Sequence, residues 1–311
     1  MDQNSCPQCP NDTSVEACPH CGAGSREVWN RHRETVDNLE QFVQKVAPMA
    51  PDSQDYAARG LYWFRGQTRV TWGLEPSFMR MTRNLTKDAA LAIALEDAAR
   101  REFMSKAHLF MDPGPLGKVK TLPCWWALMQ HHGAPTRLLD WSASPYVAAY
   151  FASHQDGSDS DGVVWCFCHR LLGKAFEAEY GQPLPDFTKT ETEDLTGALT
   201  KLHERLQDPA ARPLVAPLEF SFFTSARMAE QQGRFTMCFR IHQAHECLAT
   251  KVPETHLKQI IIPYARKPAF LAELRRMNIT AAALFPGVDG LGLSVAELTS
   301  LGSHFDDAIR A

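Results

Sequence analysis

The stretch Leu61-Tyr62-Trp63-Phe64-Arg65-Gly66-Gln67 reads as an aromatic-rich β-strand that ends in an arginine, a glycine and a glutamine. An arginine at a strand end can fork onto a phosphate or carboxylate, and a glycine beside it would let a ligand approach the backbone. The structural alternative is an ordinary ion pair at a strand terminus. Sixty-odd residues on, the run Gln130-His131-His132-Gly133-Ala134-Pro135-Thr136-Arg137-Leu138-Leu139-Asp140-Trp141-Ser142-Ala143-Ser144-Pro145 crowds polar groups into one place. Here a short helix carrying Trp125 and Trp126 stops at Gly133. A strand edge follows, and Ser144-Pro145 opens a new helix, with serine as cap and proline at its first position. Each of these groups also has a structural reading: caps for the serines, a mutual pair for Arg137 and Asp140.

Outward from these two stretches, the chain alternates strand-like and helix-like segments. Residues 28–47 read as one helical stripe through Val28, Val36, Leu39, Phe42, Val43 and Val46. Residues 88–110 read as an amphipathic helix whose buried stripe is Leu91, Leu95, Ala99, Phe103, Ala107 and Phe110. Val163–Phe167 is expected to be a buried strand, with Cys166 and Cys168 as packing residues. Residues 170–212 read as a helical insertion with a leucine stripe at Leu195, Leu199, Leu202 and Leu206. A polar turn, Arg227 to Gly233, separates an apolar strand from a second strand at Phe235–Ile241. The C-terminal part offers a strand at Leu257–Pro263, a helix at 267–278, a strand or edge at Ile279–Pro286 and a last amphipathic helix. The pattern is α+β.

At 311 residues the chain can bury a large core, and 44% hydrophobic with 22% charged residues is ordinary for a folded soluble protein. A net charge of -4 gives no global pull towards nucleic acid or anionic membrane. No apolar run reaches the length of a membrane span, and the polar N-terminus is no signal peptide. Nine cysteines, four of them clustered, fit a reducing cytoplasm. Those four, Cys6, Cys9, Cys18 and Cys21, form two CxxC knuckles separated by eight residues. Such a pair of knuckles offers four thiolates to one tetrahedral ion, so residues 1–25 are expected to be a structural zinc ribbon, followed by one domain over 26–311.

Taken in order, the landmarks resemble the FRG-domain family, named for its Phe-Arg-Gly motif. They are Trp63-Phe64-Arg65-Gly66-Gln67, Leu74-Glu75-Pro76-Ser77, the run from Gln130 to Ser142, Ser144-Pro145, Arg227 to Phe235, and Leu284 to Leu291. A more distant resemblance is to ADP-ribosyltransferases of the arginine–serine–glutamate type. It implies a mixed β-sheet core with flanking helices and an NAD-dependent transfer of ADP-ribose to a nucleic acid, a protein or a small molecule. Under it, Arg65, Gly66, Gln67, Gln130, Thr136, Arg137, Ser142 and Ser144 would bind NAD. Glu230 and Gln231 would sit at the catalytic turn, with Asp140 as an alternative acid and His131 as the acceptor's base. Such enzymes carry Gln-x-Glu or Glu-x-Glu at this turn. Here Gln231-Gln232-Gly233 places glycine where the glutamate is expected, with Glu230 one step out of phase. Two further functions stay open: a nucleotide-binding module without catalysis, and an NAD-consuming hydrolase built on His131 and Asp140. The resemblance admits a toxin or defence role, which no residue marks.

Overall fold

The computed structural model describes residues 24–49, 61–117, 119, 121–154, 156–183, 193–219 and 225–301. The expected zinc ligands Cys6, Cys9, Cys18 and Cys21 lie outside the described residues. The architecture is α+β. Among the described residues seven strands form one mixed sheet: β1 (Arg33–Thr35), β2 (Tyr62–Gln67), β3 (Leu138–Ser142), β4 (Gly162–Cys168), β5 (Val215–Leu218), β6 (Gly233–Cys238) and β7 (Leu257–Ile262). Their order across the sheet is β1-β7-β4-β2-β3-β6-β5. Only β1 and β7 run parallel; every other neighbouring pair is antiparallel.

β4 lies between β2 and β7 and is buried along its whole length, as its run of Val163, Val164, Trp165, Cys166 and Phe167 anticipates. The strand period of two sends Val164 and Cys166 to one face and Val163, Trp165 and Phe167 to the other. On the first face, Phe64, Val164, Cys166, Ile260 and Ile262 pack under the helices Leu39–Val46, Pro145–Ser153 and Lys267–Arg276. On that same face, over the other half of the sheet, Leu138, Ala216, Leu218, Phe235 and Met237 form a second core. The helices Leu122–His131, His169–Tyr180 and Glu193–Leu206 supply its cover, burying Trp126, Phe176, Tyr180, Leu202 and Leu206. The opposite face is sealed by Trp29, Cys247, Leu248 and Val252 over Trp63, Trp141, Trp165 and Phe167.

The two near-face cores meet where β2 and β3 touch. These strands share one register pair, Phe64↔Ser142, whereas β2 pairs with β4 at six positions. β2 and β3 therefore part beyond Phe64. The sheet is split at the strand that carries the Phe-Arg-Gly sequence.

Several local expectations are corrected. Residues 28–47 are not one helix. A helix at Ser25–Arg31 gives way to β1, whose residues pair with Gln259, Ile260 and Ile261, and a second helix starts after Asn38, whose side chain accepts from the Gln41 N–H. Sheet pairing and this cap override the continuous periodicity. The helix at Ala89–Ala107 forms, and the second half of its expected stripe holds, with Ala107 buried and Ala99 and Phe103 packed against the second core. In its first half the buried face carries Ala92, Ile93 and Glu96, while Leu91, Leu95 and, just beyond the helix, Phe110 are exposed. Glu96 is drawn inward by Arg137, and Ala92 and Ile93 follow it onto Phe78 and Ile241. The segment read as a strand at 279–286 is a short helix, Ala281–Leu284, capped by Thr280. Among the described residues no helix is long and apolar enough to cross a membrane.

Candidate functional site

A cavity of about 280 Å³ lies at the parting of β2 and β3. Residues of both near-face cores line it: Phe64, Ala148 and Phe151 on one side, Ala127, Met228 and Phe235 on the other. Its polar groups are Arg65, Gln130, His131, Asp140, Ser142, Arg227 and Gln231.

Arg65 is the centre of the site. By strand alternation its side chain leaves β2 on the face opposite Gly66, and its Nη1 donates to the carbonyl oxygen of Asp140 at 2.7 Å. That carbonyl lies on β3, so the guanidinium bridges the gap where the two strands no longer pair. The Asp140 carboxylate stands 4.0 Å from the same nitrogen. The Nε of Arg65 is buried and has no hydrogen-bond partner among the described residues. Burial pulls the guanidinium pKa down, Asp140 pulls it back up, and Arg80 lowers it again. An arginine stays protonated under such pulls, so the site holds a fixed cation with an unused donor.

Ser142 closes the floor. Its Oγ donates to the Gln231 carbonyl at 2.8 Å and accepts from the Ser144 N–H at 2.9 Å. It ties the start of the Pro145–Ser153 helix to the turn before β6. The Gln231 amide donates to the Leu284 carbonyl at 3.0 Å, which holds that turn from the other side. His131 ends the Leu122–His131 helix at the cavity wall, its Nδ1 3.5 Å from the Ser225 Oγ. Burial, then His132 and Arg227, lower its pKa below the ordinary histidine value. Its imidazole is therefore neutral at neutral pH and able to accept a proton.

Other residues expected in the site stand elsewhere. Arg137 is buried, with its guanidinium bonded to both carboxylate oxygens of Glu96 and to the carbonyls of Leu206 and Phe239. It is a structural ion pair and lines no part of the cavity. Thr136 is buried; its hydroxyl bonds the Gln130 side chain and accepts from the Leu138 N–H. Gln67 accepts from the Trp165 indole at 2.7 Å and donates to the Gly73 carbonyl at 2.9 Å, and it lines not this cavity but an adjoining one beside Arg65. Ser144 caps the Pro145–Ser153 helix. Glu230 is exposed at the last position of the Ala226–Glu230 helix and does not line the cavity. The only carboxylate among the lining residues is that of Asp140. Gly66 also acts differently from the reading that it admits a ligand: a Cβ there would lie 1.8 Å from the Ala148 carbonyl oxygen, so its first task is to seat a helix.

Arg227 is the functional candidate that the sequence did not single out. It reaches the cavity from the Ala226–Glu230 helix with its guanidinium over the Phe285 ring at 4.8 Å. Its place in the Arg227–Phe235 run was the available signal.

Residues 60–161 match the family model of the FRG domain. The FRG match begins just before β2 and ends just before β4, so it contains Arg65, Gln130, His131, Asp140 and Ser142. Arg227, Met228, Gln231 and Phe235 complete the cavity from outside it. No curated protein and no solved structure matches the chain.

Proposed function

We propose that this chain is an NAD-dependent mono-ADP-ribosyltransferase acting on a nucleic acid, a protein or a small molecule. The observation that carries the reading is Arg65: a fixed cation with an unpartnered buried donor, set between two strands at a cavity that also holds one carboxylate and one neutral imidazole. That donor suits a diphosphate oxygen, which accepts charge-assisted hydrogen bonds. Breaking the bond between the nicotinamide nitrogen and the ribose C1′ sends its electron pair to the ring and leaves oxocarbenium-like charge on the sugar, as in glycoside cleavage. The Asp140 carboxylate stabilises that charge. The acceptor's nucleophile bonds to C1′, and His131 takes its proton, so the products are nicotinamide, a proton and the ADP-ribosylated acceptor.

One observation favours a second reading, binding without turnover. The position expected to carry the catalytic glutamate is Gly233, and Glu230 stands outside the cavity. Incubation with NAD labelled in the adenylate half separates the two. Label on a macromolecule or an added nucleophile supports transfer. Tight binding with NAD recovered intact supports the second reading, and free ADP-ribose alone indicates a hydrolase. Arg65→Ala is expected to abolish NAD binding; unaltered binding in that variant would overturn the assignment of the site.

A further inference from the structure

A second cavity, of about 550 Å³, adjoins the first and shares Arg65, Gly66 and Phe151 with it. It is walled by the segment that follows β2 and by the helix Ser77–Thr82, and it carries Arg80, Arg83, Glu75 and Trp72. We infer that the two cavities form one bipartite nucleotide site and that the second holds the adenosine-diphosphate half of a dinucleotide, its phosphates on Arg65, Arg80 and Arg83 and its base against Trp72. The inference rests on the dinucleotide reading above and names where the non-reacting half is held.

Size points the same way. Pockets for small molecules run from about 300 to 1,000 Å³. The first cavity falls just below that range, room for a single nucleotide half, whereas a dinucleotide needs both. Charge agrees. Across the two cavities four arginines, at 65, 80, 83 and 227, face two carboxylates, at 75 and 140, which leaves an excess of positive charge matched to a diphosphate. The arginines are held in place. Arg83 pairs with the Glu75 carboxylate at 2.7 Å, and Arg80 donates to the Glu75 carbonyl, so one residue orients both guanidiniums. Arg65, reached from either cavity, stands where a pyrophosphate linking the two halves would cross, and its buried Nε is the donor left over. Trp72 is 46% exposed at the mouth, with Arg69 over its ring at 5.3 Å and Arg69 itself held by Asp156 at 2.7 Å. An indole fixed in this way offers a stacking platform for a base.

The test is calorimetric titration of the full chain with NAD, ADP and nicotinamide mononucleotide, repeated on the double variant Arg80→Ala, Arg83→Ala and on Trp72→Ala. Arg80, Arg83 and Trp72 are exposed, so these variants are expected to fold, which circular dichroism checks. ADP should bind, compete with NAD, and lose at least about tenfold in affinity in the double variant, the effect of losing a charge-assisted hydrogen bond. Trp72→Ala should likewise weaken ADP, and nicotinamide mononucleotide should bind all three proteins equally. If ADP binds in an Arg80- and Arg83-dependent way but no nicotinamide nucleotide binds, the second cavity stands as a nucleoside-diphosphate site and the NAD reading of the first fails. If ADP does not bind, or binds the double variant unchanged, the inference is overturned. It is equally overturned if a single-stranded oligonucleotide, without competing against NAD, is the ligand that depends on Arg80 and Arg83.

Discussion

A Cβ at Gly66 would fall 1.8 Å from the carbonyl oxygen of Ala148 and 2.7 Å from the Ala152 nitrogen. The glycine of Phe-Arg-Gly is the point at which the Pro145–Ser153 helix lies directly on β2. Gly162 on β4 does the same: a Cβ there would lie 2.1 Å from the Ala152 carbonyl oxygen. Two glycines on neighbouring strands make one seat for one helix. Gly66→Ala is expected to destabilise the protein by about 1–3 kcal/mol or more, as overpacking does. Denaturant unfolding measures this, and an unchanged midpoint would show that the helix can shift at no cost.

Arg137 and Glu96 are each 2% exposed in their side chains, and Arg137 also lies under Trp126, its guanidinium 4.9 Å from the ring. Removing one member strands the other charge in the core. Arg137→Ala and Glu96→Ala are each expected to cost about 3–5 kcal/mol. Replacing both together by apolar residues of similar volume should recover much of that loss. Unfolding curves of the single and double variants test this relation, and additive losses would argue against a coupled pair.

For catalysis the acids divide clearly. Asp140→Asn is expected to lower the transfer rate by about 10²–10³-fold with little change in NAD affinity. Glu230→Gln should leave the rate unaltered, because Glu230 is exposed and outside the cavity. Gly233 pairs with Ser142 across β3 and β6, so a side chain there would stand on the face of the sheet that carries Ser142 and Asp140. A Cβ at 233 meets nothing closer than 3.6 Å. Gly233→Glu is therefore expected to fold and to raise the rate. If Glu230→Gln abolishes activity instead, the assignment to Asp140 is wrong.

Two histidines set two pH dependences. His131 must be neutral to accept a proton, so activity should rise with pH through a pKa below the ordinary value of about 6.5. His245 concerns stability. It is fully buried, its Nδ1 2.7 Å from the Thr236 hydroxyl, and burial, then the Arg65 charge nearby, lower its pKa to about 3 against the opposing pull of a hydrogen bond with the Arg137 backbone. Between about pH 6.5 and 3 the unfolded chain binds a proton that the folded chain refuses. The contribution is fully present above pH 6.5 and is lost as pH falls, by about 1.4 kcal/mol per pH unit. His245→Gln should flatten that slope in urea titrations across the acid range.

The ribbon expectation is tested by composition alone. Reduced full-length protein should carry one zinc ion, released by a thiol-modifying reagent, and Cys6→Ser with Cys9→Ser should remove it. Metal-free reduced protein would end that proposal.

Much of the cavity was legible because its residues come from short runs dense in special residue types. Phe64 to Gly66, Gln130 and His131, Asp140 to Ser142, and Gln231 all meet at it. What failed to show was decided by partners distant in sequence. Arg137 reads like a ligand-binding arginine, since Glu96 stands 41 residues away and nothing local announces the pair. Gly66 reads like a gap for a ligand, because the helix that fills the gap begins at Pro145. Leu91 and Leu95 read as part of the buried stripe of their helix, and the pull of Arg137 on Glu96 turns these two leucines to solvent. Local pattern thus located the groups, and long-range packing assigned their roles.

The parallel pairing of β1 with β7 has a consequence for synthesis. Arg33, Glu34 and Thr35 find their partners in Gln259, Ile260 and Ile261, and the central strand β4 also waits for β7 on one side. A ribosome adding about 5–20 residues per second needs roughly ten to forty-five seconds to cover the distance between those partners. β4 is made part-way through that interval, and for the roughly five to twenty seconds before β7 follows it lacks that neighbour, so its valines, tryptophan and phenylalanine form an open hydrophobic edge on the nascent chain. The sheet that frames the cavity is finished only once β7 has been made, so a product truncated before β7 carries every residue of the FRG match and an unfinished sheet.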